Sequence, residues 1–295
     1  MKIAIYGHYF SQDAEKYIEK LLDALKLKNS EVHIEERFLK LIQSSLDTSV
    51  DYKTYNNHSD LDSSFDCMFT LGGDGTVLRS IMYLRDSNIP VIGVNIGRLG
   101  FLATVNKEEI SEAIESLYNK NYTIKERSLL IVKTEPEINE IDEFNYALNE
   151  ITISRKNTTS MITIETYIDG EYLTSYWADG LITATPTGST GYSLSCGGPV
   201  ISPQAKNFIL TPIAPHNLNA RPLVIPDDTK LKMKVHGREN TFFISLDSRI
   251  ATIDSKTEVF IEKAPFTIKM IELNNQTFIQ TLRKKLLWGE DTRNK

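Results

Sequence analysis

Cysteine is scarce in this chain of 295 residues: Cys67 and Cys196 are too few for a disulfide framework, and no C-x-x-C pair or cluster of histidines offers a zinc site. Long apolar runs are missing too. None approaches the roughly 18 residues a membrane span needs, and Met1-Lys2-Ile3-Ala4-Ile5-Tyr6 begins a strand rather than a signal peptide. Basic charge is in short supply, since a net charge of -6 and a pI near 5.5 leave no basic patch beyond Arg283-Lys284-Lys285. That argues against nonspecific nucleic-acid binding, and the triplet reads as the polar face of a terminal helix. There is no internal repeat and no low-complexity tract. The expectation is a cytoplasmic chain with neither nucleic acid nor membrane among its partners.

What is present suffices for one large or two ordinary domains with real cores: 41% of residues are hydrophobic and 24% charged. Residues 2 to 7 read as strand, 12 to 28 as an amphipathic helix with Ala14, Tyr17, Ile18, Leu21, Leu22 and Leu25 on one face, and 31 to 34 as strand. Residues 46 to 66, rich in Ser, Asp, Asn and Tyr, lack apolar periodicity and read as a mobile surface loop, either a lid or a tolerated insertion. Pro90 to Asn95 is a buried strand and Lys107 to Tyr118 a helix. Beyond about residue 120 the period changes to two: Ile162, Ile164, Thr166 and Ile168 alternate with polar neighbours ahead of the hairpin signal Asp169-Gly170. Further strands are expected near 129 to 134, 146 to 154, 181 to 185, 230 to 236, 241 to 247, 250 to 255 and 258 to 272. Gln276 to Trp288 returns to helical spacing and is expected to dock on the first domain, with Trp288 as packing.

The richest segment is Leu71-Gly72-Gly73-Asp74-Gly75-Thr76. It follows the short apolar run Asp66 to Leu71, an interior strand of a parallel sheet, and precedes Val77, Leu78, Ile81, Met82 and Leu84 at helical spacing. Glycines at such a strand-to-helix corner let backbone approach an anion, which the free N-H groups of the helix start attract. The spacing matches neither G-x-G-x-x-G nor the P-loop, and no lysine follows. Asp74 either caps the following helix, or sits beside phosphates because a divalent cation screens it or because it takes a proton from an attacking hydroxyl.

A second constellation spans residues 185 to 198, where seven of fourteen residues carry hydroxyls and four are glycine. Several weak donors at short range suit ribose and phosphate oxygens, although a turn-rich connector has the same composition. It lacks the G-x-S-x-G elbow, and no motif ties His216 to it, which disfavours serine hydrolysis.

Taken in order, Leu71 to Thr76, then Asn149-Glu150, then Asp179-Gly180-Leu181-Ile182-Thr183-Ala184-Thr185-Pro186-Thr187-Gly188-Ser189-Thr190 resemble the NAD kinases over nearly the whole chain. The glycine motif is shared with lipid kinases of the diacylglycerol and sphingosine type; the threonine-serine motif with its upstream Asn-Glu is more specific. The resemblance implies ATP-dependent phosphorylation of the adenosine 2'-hydroxyl of NAD, giving NADP. It implies a Rossmann-like parallel-sheet α/β domain, residues 1–125 plus 273–295, and a β-rich sandwich domain, 126–272, the C-terminal helix returning to the first, with a cleft between the two.

Asp74 would be the general base, accepting the proton during in-line transfer while magnesium or another divalent metal neutralises the donor phosphates. Gly72, Gly73, Gly75 and Thr76 would cradle those phosphates, and Arg79 would meet one. Asn149 would face the adenine, and Glu150 and Asp179 the nicotinamide-ribose end. Thr187, Thr190, Gly191, Tyr192, Ser193, Leu194 and Ser195 would meet sugar and base edges. Phe101, in a segment similar to one that sets an aromatic beside the adenine, is read as core, and His216 as architectural or subunit-contacting. Two positions depart from the family pattern: 177 is Trp where many members carry Arg, and 191 is Gly where many carry Ala. Trp177 bears on the choice between NAD and NADH. A homodimer or homotetramer is implied. The competing readings are a lipid kinase and a catalytically silent NADP(H)-binding sensor.

Overall fold

Strand and helix alternate through the first part of the chain in the computed structural model, which describes residues 1–8, 12–43, 51–157, 159–217, 219–274 and 276–287. The chain divides into two units, Met1–Glu126 with Ile268–Lys295, and Arg127–Thr267. The first contains β1 (Lys2–Gly7), α1 (Gln12–Leu27), β2 (Glu31–Glu35), α2 (Glu36–Ile42), β3 (Lys53–Tyr55), β4 (Cys67–Gly72), α3 (Asp74–Leu84), β5 (Val91–Asn95), β6 (Val105–Asn106) and α4 (Ile110–Tyr118). It also holds the start of β7 (Tyr122–Glu135).

All pairings in this sheet are parallel, in the order β3-β2-β1-β4-β5, with β6 beside the end of β5. The chain therefore winds outward from β1 to one side and resumes at β4 on the other. Between β1 and β4 lies the switch point, outside whose carboxyl ends open α/β sheets bind ligands. Because both faces are covered, the strands are apolar throughout: Ile3, Ile5, Cys67, Phe69, Leu71, Ile92 and Val94 join Ile18, Leu21, Leu22 and Leu25 of α1 in one core. Burial pushes the Cys67 thiol up to about 12, and both cysteines are free.

Residues 51–66 differ from the expected loop. Tyr55, buried in β3, donates its hydroxyl to Ile5 O at 3.0 Å, and Leu61 and Phe65 are buried. The turn after β3 is closed by its own polar side chains, Asn57 and Asp60 forming a capping box and Asp62 accepting from Ser64 N at 2.9 Å. Side-chain-to-backbone bonds replace apolar periodicity here, so a hydrophobicity reading finds no element. The rest of the expected loop, 46–50, lies outside the described residues.

The second unit holds the remainder of β7, then α5 (Asn139–Asp142), β8 (Tyr146–Ala147), β9 (Glu150–Arg155), β10 (Ile162–Ile168), β11 (Glu171–Ala178), β12 (Gly180–Ala184), α6 (Tyr192–Ser195), β13 (Asn207–Ile213), β14 (Leu223–Pro226), β15 (Leu231–His236), β16 (Thr241–Leu246), β17 (Arg249–Asp254) and most of β18 (Glu258–Leu273). One antiparallel sheet runs β14-β13-β12-β9-β16-β17; β11, β10, β15 and β18 pair in a second, with β7 beside β18. Their inward residues meet in a single core, Ile153, Leu181, Phe208 and Ile244 from the first and Ile164, Met233, Val235 and Ile261 from the second. This is the sandwich that alternating apolar positions dictate. The outer face of the first sheet carries Ile182, Ala184 and Ile209, against which Cys196 and Ile201 pack.

The last described element, α7 (Phe278–Leu286), starts with a capping box between Thr277 and Gln280. Phe278 lies 6.2 Å from the Phe101 ring, both in the first unit. Trp288 lies outside the described residues.

Candidate functional site

In the first unit the glycine corner stands at the switch point: β1 and β4 are in register from Ile3↔Cys67 to Gly7↔Leu71. Helix α3 begins at Asp74 itself, with Gly73 as N-cap and no side-chain cap. Asp74 is therefore not the cap that its type and place allowed. Its carboxylate turns to the segment after β5, where Oδ2 accepts from Phe101 N at 2.8 Å, and Oδ1 from Leu102 N at 3.0 Å and Ala103 N at 2.9 Å. A carboxylate offers about four acceptor sites. Three are filled, which fixes its orientation and leaves one for an incoming hydroxyl.

This approach requires Gly100, where a Cβ would stand 1.8 Å from Asp74 Oδ1. Gly73 and Gly75 are exposed, and a Cβ on either would meet nothing within 4 Å. The corner thus shows bare backbone at the positive end of an 11-residue helix, an arrangement suited to anions. Gly72 O accepts from Ile96 N at 3.2 Å, and Thr76 N bonds Gly73 O at 2.9 Å. Arg79, further along α3, acts electrostatically on Tyr6 and His8 and so carries its charge to the end of β1. Burial first and Arg79 second hold His8 below its usual range.

In the second unit, Asn149 immediately precedes β9 and Glu150 opens it. Asn149 Oδ1 and Glu150 Oε2 are buried and have no hydrogen-bond partner among the described residues. Buried polar atoms left this way are costly, by about 1–3 kcal/mol each, and the polar groups of a ligand would complete them. Burial, then the Asp247 charge, pushes the Glu150 carboxyl up to about 8, against a backbone N-H of Tyr192 that favours the ionised form.

The expected single strand over 146–154 is two, because the chain breaks where Leu148 and Asn149 turn their amides to Asp247. The Asp247 carboxylate accepts from Leu148 N at 3.0 Å, Asn149 N at 2.8 Å and Glu150 N at 3.1 Å.

The hydroxyl-rich segment wraps against this corner. Thr185 Oγ1 donates to Leu148 O at 2.6 Å and accepts from Gly188 N at 3.1 Å, while Thr185 N donates to Asn149 O at 2.9 Å. Gly188 packs so closely that a Cβ would lie 2.1 Å from Asn149 O. A Cβ at Gly191 would lie 2.9 Å from Glu150 Oε2 and 3.3 Å from Asn149 Nδ2, so these three predicted residues are brought together.

Several hydroxyls serve the segment itself: Ser189 Oγ donates to Pro186 O at 2.7 Å, Thr190 Oγ1 to Thr187 O at 3.2 Å, and buried Ser193 Oγ pairs with Thr211 Oγ1 at 2.8 Å. Tyr192 and Ser195 are exposed, Leu194 half-buried, and Thr187 7% exposed. Asp179, between β11 and β12, pairs with Arg155 at 3.1 Å. Trp177 stacks on His216 at 4.2 Å and lines a groove with Asn217 and Arg221.

Sequence reasoning missed Asp247 and the amides of 101–103. Asp247 stands in an ordinary strand-turn-strand stretch, and backbone amides carry no residue signature.

Among the described residues no group of three or more His, Cys, Asp or Glu side chains could cage a metal ion. A magnesium-like ion needs only one or two protein carboxylates when substrate phosphates supply the other ligands.

A doubly wound parallel sheet with a carboxylate at its glycine corner, joined in sequence to a β-sandwich that carries unpartnered polar oxygens at Asn149 and Glu150, fits a nucleotide phosphotransferase class. The family models for the ATP-NAD kinase N-terminal domain and the ATP-NAD kinase C-terminal domain match residues 3–122 and 148–273. An NAD kinase of Christiangramia forsetii is 56% identical over 294 residues, covering 100% of each chain. Among solved structures, an NAD kinase from Archaeoglobus fulgidus in complex with ATP is 25% identical with a TM-score of 0.75, covering 97% of this chain and 99% of that one. Yeast NADH kinase complexed with NADH shares the fold, at a TM-score of 0.86 and 23% identity over 100% of this chain and 90% of that one. The chain belongs to the ATP-NAD kinase family.

Proposed function

We propose that the protein transfers the terminal phosphoryl group of ATP to the adenosine 2'-hydroxyl of NAD, giving NADP, with Asp74 as general base. The observation that carries the chemistry is the Asp74 carboxylate, oriented by three amides with one acceptor site left, at the open glycine corner of a helix start. A secondary hydroxyl is a poor nucleophile until a positioned carboxylate accepts its proton. The N-H groups around Gly73 and Gly75 receive donor phosphate, Thr76 extends that contact, Gly72 shapes the corner, and Arg79 supplies positive charge. A divalent ion held mainly by the phosphates neutralises charge on the transferred group.

Asn149 and Glu150 take the acceptor nucleotide, which is supported by their unpartnered buried oxygens. Thr187, Thr190, Gly191, Tyr192 and Ser195 line its sugar and base edges. Ser193 and Leu194 shape the wall, and Asp179, braced by Arg155, marks its far end.

The family models and the relatives favour this activity over a lipid kinase or a silent sensor. Purified protein given ATP, magnesium and NAD should form NADP, read with an NADP-specific dehydrogenase. Turnover on diacylglycerol vesicles without NADP formation would reverse the assignment.

Two further elements belong to this reading. A cytoplasmic location is supported by two free cysteines; among the described residues no helix is long and apolar enough to cross a membrane. A homodimer or homotetramer is supported by the groove of about 330 Å³ between the edge strands β11 and β14, lined in part by Trp177 and Leu223, both exposed. Size-exclusion chromatography with light scattering measures the state, and a monomer would refute it.

A further inference from the structure

The turn between β16 and β17 reaches across the second unit to the segment that opens β9. Asp247, at φ 51°, is half-buried, and its carboxylate binds the N-H groups of three consecutive residues, Leu148, Asn149 and Glu150. Its own N-H returns to Glu150 O at 3.0 Å, closing the clamp from the other side. Two residues on, Arg249 donates to Phe144 O and Tyr146 O and lies over the Tyr146 ring at 5.6 Å. The segment 144–150 is thus pinned at five backbone positions by two charged side chains of one turn. Drawing an acid and a guanidinium partly out of water to hold a stretch of main chain is a costly way to stabilise a sandwich. Yet that stretch presents the two side chains whose oxygens stand unpartnered.

We propose that Asp247 is a positioning residue for the acceptor nucleotide: its carboxylate sets the main-chain path from which Asn149 and Glu150 are presented. The inference rests on the reading of this pocket as the NAD site.

Electrostatics support it. Glu150 faces Asp247 from the β16–β17 turn, Tyr192 from α6 and Cys196 just after it; Arg249 faces Asp247 in turn. Burial raises the Asp247 carboxyl, opposed by its three amide bonds and by Arg249. Burial and the Asp247 charge together keep Glu150 protonated at neutral pH, with a proton to donate to a ligand acceptor. Asp247 therefore sets both where Glu150 stands and which hydrogen-bonding role it plays.

The test compares wild type with Asp247→Asn in steady-state assays with NAD and ATP varied separately. An amide oxygen cannot serve three N-H donors as a carboxylate does. The expected result is a KM for NAD raised at least about tenfold, with kcat and the KM for ATP within about twofold. The alkaline limb of kcat/KM for NAD, which stands near pH 8 in the wild type if Glu150 must be protonated, should move toward neutrality when the neighbouring charge is removed. A clamp that only stabilised the fold would lower the melting temperature and leave that limb in place. A folded variant with unchanged KM for NAD and an unchanged limb overturns the inference. Should Asp247→Asn not fold, Asp247→Glu decides, since it keeps the charge and displaces the carboxylate from the three amides: a raised KM for NAD with kcat little changed upholds the inference, and an unchanged KM for NAD overturns it. A wild type unable to phosphorylate NAD sinks the acceptor assignment itself, which separates that failure from this one.

Discussion

Replacing Glu150 by glutamine removes a titrating group and keeps nearly the shape of the protonated acid. In the folded protein burial and the Asp247 charge carry this carboxyl from 4.5 to about 8. Below pH 4.5 folded and unfolded chains both hold the proton; between 4.5 and about 8 only the folded chain does. Stability contributed by this group is therefore complete at acid pH and is lost as pH rises through the window. At about 1.4 kcal/mol per pH unit, the loss is on the order of 3 kcal/mol at pH 7 and 4–5 kcal/mol once pH exceeds 8. Glutamine abolishes that slope. Urea midpoints of wild type and Glu150→Gln, measured at about pH 5, 7 and 8.5, should converge at the acid end and separate in favour of the variant by a few kcal/mol at the alkaline end. A wild-type-to-variant difference that stays constant with pH would refute the claim that the pocket holds Glu150 protonated.

Two other substitutions probe the close approaches. Gly100→Ala sets a methyl 1.8 Å from Asp74 Oδ1, so the 101–103 amides and the carboxylate must part; kcat should fall by about 100-fold or more with a smaller change in the KM for NAD, measured in the coupled assay. Gly188→Ala presses a Cβ onto the Asn149 backbone, which cannot swing aside like a side chain; thermal unfolding should report a loss of about 1–3 kcal/mol, and calorimetry weakened NAD binding.

The parallel sheet and its glycine corner were legible because both write themselves locally. Cys67–Gly72 is a short apolar run broken by glycines, and α3 declares itself by spacing. Asn149 and Glu150 were legible as a pair, but not why they converge: side chains at successive strand positions point apart, and these two do not share a strand. The bend that unites them comes from Asp247, 97 to 99 residues away. For Asp74 the cap and the phosphate readings both stood open in the local sequence, because its partners are amides 27 to 29 residues on, and any residue carries an amide. The strand Asn207–Ile213 and the edge strand Leu223–Pro226 escaped notice; prolines and short length mask their pattern. Local chemistry was readable from the sequence, and long-range backbone contacts were not.

The base assignment is tested most directly by Asp74→Asn, assayed for NADP formation and, separately, for NAD binding by calorimetry. The amide keeps the size of the side chain but cannot accept the hydroxyl proton. NADP formation should fall to background while NAD affinity stays within about threefold of wild type. Substantial turnover by the folded variant would contradict the account, and the proton would then have to leave by another route.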